Sequence, residues 1–341
     1  MHNTELIAIL QDKIISIVEP LLKDTEDVAL LDYPNHPNVG DCLIWLGEQV
    51  LLKRLGKKIC YICDYRNFNE AALRASLKPN SGILIHGGGN FGTLWPWYQE
   101  FRENVVRRFP AHKIIQLPQS IHYDLALPDY LKTSKDTISR HPNFTLLVRD
   151  VTSEEFAKNH FKCQVILCPD TAFLLGALKR HEPTEDAFCL LRTDKETTLV
   201  PGNAEREASC LNLSIKFGDW LTEWREERIT AQLIRMSNPF LKYVDPQNKF
   251  LGMLWNHLAE ARLRRGVKIL SQGGMVITDR LHAHILSLLL NINHVALDNC
   301  TGKISSLIKA WTSDYNGVRL ATSWDDAVKI LPAFLASDQT K

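Results

Sequence analysis

The sequence predicts an α/β protein of two domains, each a parallel sheet flanked by helices, facing one another across a cleft. Three observations carry this. The chain has 341 residues, and domains commonly run to roughly 150 residues. Short apolar runs alternate with helical stretches, an order that calls for parallel strands joined by crossovers. The character of the chain changes at the charged segment Lys179 to Asp186, KRHEPTED, after which strands and helices resume. Domains are therefore expected over residues 1–180 and 186–341.

Leu6 to Leu22 places apolar residues at 6, 7, 10, 14, 17, 18 and 21, the spacing of a helix. Val28 to Asp32 reads as a strand, and Leu43 to Leu55 as a helix closed by Gly56. Strands follow at Lys58 to Asp64 and Gly82 to His86, then a helix at Trp97 to Phe109 and a strand at Lys113 to Leu117. Thr145 to Val148 and Gln164 to Cys168 complete the first set of strands. Beyond the linker, Ala187 to Arg192 is a strand, and residues 219–265, rich in Trp, Glu and Arg, are helical. Gly273-Gly274 reads as a helix C-terminus. Met275 to Thr278 is a strand, Arg280 to Leu290 a helix and His294 to Leu297 a further strand.

Composition narrows the function. An apolar share of 45 % is enough for a substantial core. With 40 Lys+Arg against 39 Asp+Glu, the net charge of +1 gives no general pull toward nucleic acid or anionic lipid. Nucleic acid is excluded as a partner, and an anionic ligand must meet a local cluster of Arg or Lys. The 8 Cys (42, 60, 63, 163, 168, 189, 210 and 300) are scattered, several in strand-like runs, and read as reduced, buried thiols. Cys60 and Cys63 have CxxC spacing, but no second tight pair completes a zinc site. The N-terminus lacks the pattern of a signal peptide. Ile285 to Leu297 is broken by Asn291, Asn293 and His294, too short a run to span a bilayer. A cytoplasmic protein is expected, with a peripheral position at the inner membrane face left open.

Ligands of open α/β sheets bind beyond the carboxyl ends of the strands, so the residues there are the candidates. Asn38-Val39-Gly40-Asp41 leads into a helix, and Asp41 is either its cap or a base toward a hydroxyl. Gly82 to Gly92 contains the literal GxGxxG of Gly87, Gly89 and Gly92 and ends its strand with His86. A dinucleotide site also needs an acid after the next strand, about 20 residues on; Gln116 to Ser120 stands there instead. The glycines read more simply as places of close backbone approach. Arg149 and Arg192 each end a strand, one in each half. Met275 to His284 ends a strand and starts a helix, whose free N–H groups and dipole attract anions. Arg280 there can grip phosphate or carboxylate bidentately. His282 and His284 point about 200° apart on that helix, so one faces the cleft and one packs, His282 being favoured as acid or base.

These pieces resemble the polysaccharide pyruvyl transferase family: Asn38 to Asp41, Ile83 to Gly92, Gln116 to Ser120, Val148-Arg149-Asp150, Pro169-Asp170, Ile277 to His282, Val295 to Asn299 and Gly302-Lys303, in that order. The resemblance implies two Rossmann-like domains similar to the GT-B glycosyltransferase fold, with residues 1–180 on the acceptor side and 186–341 on the donor side. It implies transfer of the pyruvyl group of phosphoenolpyruvate onto a sugar of an exopolysaccharide or cell-surface glycan precursor, giving a cyclic ketal and phosphate. Arg280, Leu281, His282 and Arg149 then belong to the donor site and Asp41 to the hydroxyl. Arg192 joins the donor site on its position alone, and His284 is grouped with it. His282 is the first choice for protonating the enol carbon, His86 or His284 the second. No cofactor is required, phosphoenolpyruvate being a co-substrate, and a divalent metal is left open, as are a lipid-linked acceptor and an oligomeric state. Two other readings stay in play: a GT-B-like glycosyltransferase using a nucleotide sugar, and a carbohydrate-binding protein, suggested by the 8 Trp.

Overall fold

A computed structural model describes residues 1–192, 213–298 and 301–338. Two sheets organise them. The first holds β1 (Asp27–Leu31), β2 (Lys58–Cys63), β3 (Gly82–Ile85), β4 (Gly88–Gly92), β5 (Lys113–His122), β6 (Phe144–Val148) and β7 (Gln164–Leu167). Its order is β2-β1-β3-β5-β6-β7, with β4 also paired to β5. The second holds β8 (Glu185–Leu190), β9 (Ile215–Gly218), β10 (Gly273–Thr278), β11 (His294–Leu297) and β12 (Val318–Ala321), in the order β12-β11-β10-β8-β9. Every pairing is parallel. The architecture is the expected pair of Rossmann-type α/β sheets in a GT-B-like arrangement. Each sheet has a switch point where the order reverses, β1/β3 in the first and β8/β10 in the second, and there an open sheet forms a crevice.

The helices are α1 (Asn3–Leu21), α2 (Val39–Arg54), α3 (Glu70–Ser76), α4 (Pro96–Arg108), α5 (Pro128–Ser139), α6 (Val151–His160), α7 (Arg225–Val244), α8 (Lys249–Leu270), α9 (Leu281–Leu289), α10 (Lys303–Leu307) and α11 (Trp324–Asp338). Helix α2 starts four residues before the expected Leu43, because the Asn38 side chain accepts from the Gly40 N–H at 3.1 Å and caps it there. Gly273-Gly274 opens β10 rather than ending a helix. A Cβ on Gly273 would lie 2.4 Å from the Phe188 nitrogen, so only glycine fits beside β8. The GxGxxG stretch becomes the short strand β4 instead of a phosphate-binding turn, with Gly88 and Gly92 at φ of 126° and 111°.

The two halves share one apolar core, which includes Leu30, Leu84 and Leu147 of the first sheet and Leu190, Val276 and Ala296 of the second. Helices α2 and α8 cross where Gly266 meets Val39, a Cβ on Gly266 falling 2.5 Å from Val39 Cγ1. Tyr33 stacks on Trp255 with centroids 4.6 Å apart and donates to the Trp255 carbonyl at 3.1 Å. Trp45 Nε1 donates to Asn256 Oδ1 at 2.7 Å. Even α1 reaches across, with Asn3 Nδ2 donating to the Leu288 carbonyl at 3.2 Å. The six described cysteines are free thiols whose pKa burial raises, in keeping with small apolar side chains. Cys210, Cys300 and Asn299 lie outside the described residues. No described helix is long and apolar enough to cross a membrane.

Gly47 of α2 lies against the 3-10 turn Thr171–Leu175, and a Cβ there would meet the Thr171 carbonyl oxygen at 2.0 Å. Backbone cannot yield as a side-chain tip can. Gly47→Ala should therefore lose about 1–3 kcal/mol of stability, read as a lower calorimetric melting temperature.

Candidate active site

The two switch points open onto one cavity of about 420 Å³ between the sheets. Five of its ionisable residues stand one or two positions past a strand: Asp32 after β1, His86 after β3, Arg149 after β6, Arg192 after β8 and Arg280 after β10. This is where parallel strands deliver side chains whose backbone is held by the sheet. Asp41, Leu281, His282 and Lys303 join them from the first turns of α2, α9 and α10.

Several cations line the cavity. Arg149, 1 % exposed, donates through Nη1 to Asp170 Oδ2 at 2.7 Å and through Nε to Ser120 Oγ at 2.8 Å. His282 Nε2 lies 3.2 Å from the same Nη1 and 3.5 Å from Asp170 Oδ2. Burial alone would raise the Asp170 pKa. The hydrogen bond to His282 and the Arg149 charge outweigh it and hold the carboxyl far below its ordinary range. Arg280 is anchored through Nη2 to Asp219 Oδ1 at 3.2 Å. It occupies the N-cap position of α9 rather than its first turn, and its backbone N–H donates to Thr278 Oγ1 at 3.1 Å. The Arg192 N–H donates to Asp279 Oδ1 at 2.7 Å, and burial pushes the Asp279 carboxyl up to about 6.

Carboxylates and aromatic rings line the same cavity. Asp41 sits at the third helical position of α2, its Oδ2 accepting from Asn38 Nδ2 at 2.7 Å and lying 3.5 Å from His36 Nε2. Burial would raise its pKa, but the charges of His36, His282, His86 and Arg149 lower it instead. His86 Nδ1 is 2.8 Å from Glu48 Oε2, while Glu48 Oε1 accepts from the Gly87 N–H at 2.8 Å. Burial works against a charged ring there, and the Glu48 carboxylate overrides it and raises the His86 pKa. Nε2 of His86 is buried with no hydrogen-bond partner. Beside it stands Asp32, since Leu31 and Ile85 pair in the sheet and the next residue of each strand enters the cavity. Asp32 is buried, has φ of 74°, and neither carboxylate oxygen has a hydrogen-bond partner. Burial, against the opposing pull of His86 and Arg102, pushes its carboxyl up to about 7. A strained backbone, orphaned oxygens and a near-neutral pKa in one cleft residue mark a functional group. Tyr65, Trp95, Trp97, Tyr98 and Trp220 supply flat apolar faces around the same cavity.

The cavity thus gathers Asp41, His86, Arg149, Arg192, Arg280, Leu281 and His282. His284 is the correction. It is fully buried, its Nδ1 2.7 Å from His294 Nε2 and its Nε2 3.1 Å from Thr312 Oγ1, and it takes no part in the cavity wall. Two residues along a helix turn it to the far side, and burial drives its pKa well down. Sequence reading missed Asp32 and Trp220, and it names Asp170 and Lys303 only as parts of the family pattern, without a role. Asp32 carried a usable signal, an acid ending an apolar strand. Among the described residues, no group of three or more His, Cys, Asp or Glu is placed to hold a metal ion.

A family model for polysaccharide pyruvyl transferase matches residues 38–301. EpsO of Bacillus subtilis (strain 168) is 30 % identical over 320 residues, 91 % of this chain and 93 % of that protein. Pyruvyl transferase 1 of Schizosaccharomyces pombe (strain 972 / ATCC 24843) is 33 % identical over 299 residues, 83 % of this chain and 69 % of that protein. A functionally uncharacterised protein of Klebsiella pneumoniae subsp. pneumoniae NTUH-K2044 shares the fold, with a TM-score of 0.59 at 17 % identity over 91 % of this chain and 99 % of that one.

Asp32 should reveal itself in stability before activity. Its folded pKa of about 7 stands above the ordinary 3.8, so the folded state binds the proton more tightly. Stability is then lost as pH rises from about 4 to 7, when a carboxylate must ionise in a dry site. Asp32→Asn should be more stable than the wild type at pH 8, on the order of a few kcal/mol, and should show little gain at pH 4. Denaturant melts at the two pH values measure this.

Proposed function

The chain belongs to the polysaccharide pyruvyl transferase family, and we propose that it moves the pyruvyl group of phosphoenolpyruvate onto a sugar of an exopolysaccharide or cell-surface glycan precursor, closing a cyclic ketal and releasing phosphate. The observation that carries this reading is one cavity lined by Arg149, Arg192, Arg280 and Lys303 together with the carboxylates Asp32 and Asp41 and the rings of Tyr65, Trp95, Trp97, Tyr98 and Trp220. The donor brings a phosphate and a carboxylate, and Arg149, Arg192, Arg280 and Lys303 meet them. Arg forks suit both groups. The acceptor brings a ring whose faces stack on Trp and Tyr and whose hydroxyls point at carboxylates.

Chemistry follows from these groups. His282, with Asp170 behind it to stabilise the imidazolium, gives a proton to the methylene carbon of the enol, leaving the neighbouring carbon electrophilic. One sugar hydroxyl attacks that carbon as Asp41 takes its proton. The carbon–oxygen bond to phosphate breaks, and the second hydroxyl closes the ketal as Asp32 takes its proton. Of the two hydroxyl protons, one restores His282 and the other leaves with the phosphate. Asp41, held ionised, suits the first attack, and Asp32, near neutral pKa, can accept a proton and pass it on.

The pure protein should release phosphate from phosphoenolpyruvate when given the right sugar, and a broad acceptor panel with a phosphate assay tests it. No release across the panel, together with thermal stabilisation by a nucleotide sugar, would sink the reading in favour of a glycosyltransferase. Phosphoenolpyruvate should raise the melting temperature, and Arg280→Ala should weaken donor use by about ten- to a hundredfold, one charge-assisted contact. His282→Ala should keep the donor-induced shift while lowering turnover about 10²–10⁴-fold.

A further inference from the structure

We propose that α7, continued by the first turns of α8, is a membrane-surface anchor that seats on anionic lipid. Helix α7 turns Glu227, Ile234 and Leu241 inward, at seven-residue spacing, against the rest of the fold. A second stripe, Ile229, Leu233, Met236, Phe240 and Val244, follows a 4-3-4-4 spacing on the outside. Phe250 and Met253, in the first turns of α8, are exposed as well, and all seven are between 49 % and 70 % exposed. Large apolar side chains gathered in this way on a soluble surface mark a contact site. At 100° per residue the stripe lies within a narrow sector, and the exposed Arg228 and Arg235 run along one flank of it. A basic row beside an apolar stripe is the composition of a helix that lies in the plane of a lipid interface.

Charge complementarity commits the occupant to lipid: an anionic lipid surface satisfies the apolar stripe and the exposed Arg228 and Arg235 together. The anchor also lies close to the site, because Trp220 and Leu221, which line the cavity, come just before α7. Seated on lipid, the cavity would be brought to a lipid-linked acceptor. That consequence rests on the proposed function; the membrane contact does not.

Flotation of the full chain with phosphatidylcholine vesicles, with and without phosphatidylglycerol, tests it. Binding is expected only to the anionic vesicles, falling as salt rises. Met236→Glu/Phe240→Glu should lower partitioning at least tenfold with an unchanged melting temperature, since both side chains are exposed. Arg228→Ala/Arg235→Ala should lower it roughly fivefold per Arg. Phosphate release with a soluble acceptor should be unaffected in either double variant, which separates this inference from the reading of the active site. Absence of vesicle binding overturns the proposal. So does unaltered binding in the Glu variant, or a dimer in light scattering that the Glu variant splits while neither form binds vesicles.

Discussion

Arg149 and Asp170, each 1 % exposed, meet at 2.7 Å, and His282 from the other half reaches the same two groups at 3.2 and 3.5 Å. Taking two ions out of water costs several kcal/mol apiece, so a buried pair persists only when its remaining valences are filled. Ser120 Oγ and the Ala172 N–H fill two of them. The indole of Trp311, from the second half, donates to the Arg149 carbonyl at 2.8 Å. The pair is therefore a joint between the halves as well as the back wall of the cavity. It places a guanidinium, a carboxylate and an imidazole within hydrogen-bonding range only if both sheets are docked as they are.

That docking needs closeness that ordinary side chains would prevent. A Cβ on Gly40 would lie 2.5 Å from His282 Nδ1, and one on Gly89 would lie 3.2 Å from Arg149 Nη2. These glycines let the start of α2 and the strand β4 press against His282 and Arg149. The GxGxxG sequence therefore serves close approach inside the fold. A buried amide network holds that strand in place: Gln119 Nε2 donates to the His86 carbonyl and to Asn90 Oδ1, each at 3.0 Å, and Arg102 Nη2 donates to Asn90 Oδ1 at 2.7 Å.

Asp32 and His86 show the opposite economy. They are buried without partners for Oδ1, Oδ2 and Nε2. Such groups destabilise the empty protein and keep their hydrogen-bonding capacity for a ligand. The Arg149–Asp170 pair is thus held by its own contacts, while Asp32 and His86 hold valences in reserve.

The sequence by itself determined the local matters. Apolar runs and turn residues specified most of the strands, and the residue just past each strand was readable as Asp, His or Arg, which is how Arg149, Arg192, Arg280 and His86 were found. Helical periodicity separated His282 from His284, because 100° per residue is a local property. Only the tertiary structure decided which of the two faces the cavity, that Asp32 stands beside His86, and that Asp170 lies behind His282. Those neighbours are far apart in the chain, and their meeting depends on strand order, register and the docking of two sheets. Burial and orphaned valences, which leave both carboxylate oxygens of Asp32 without a partner, exist only once water has been excluded from the closed core.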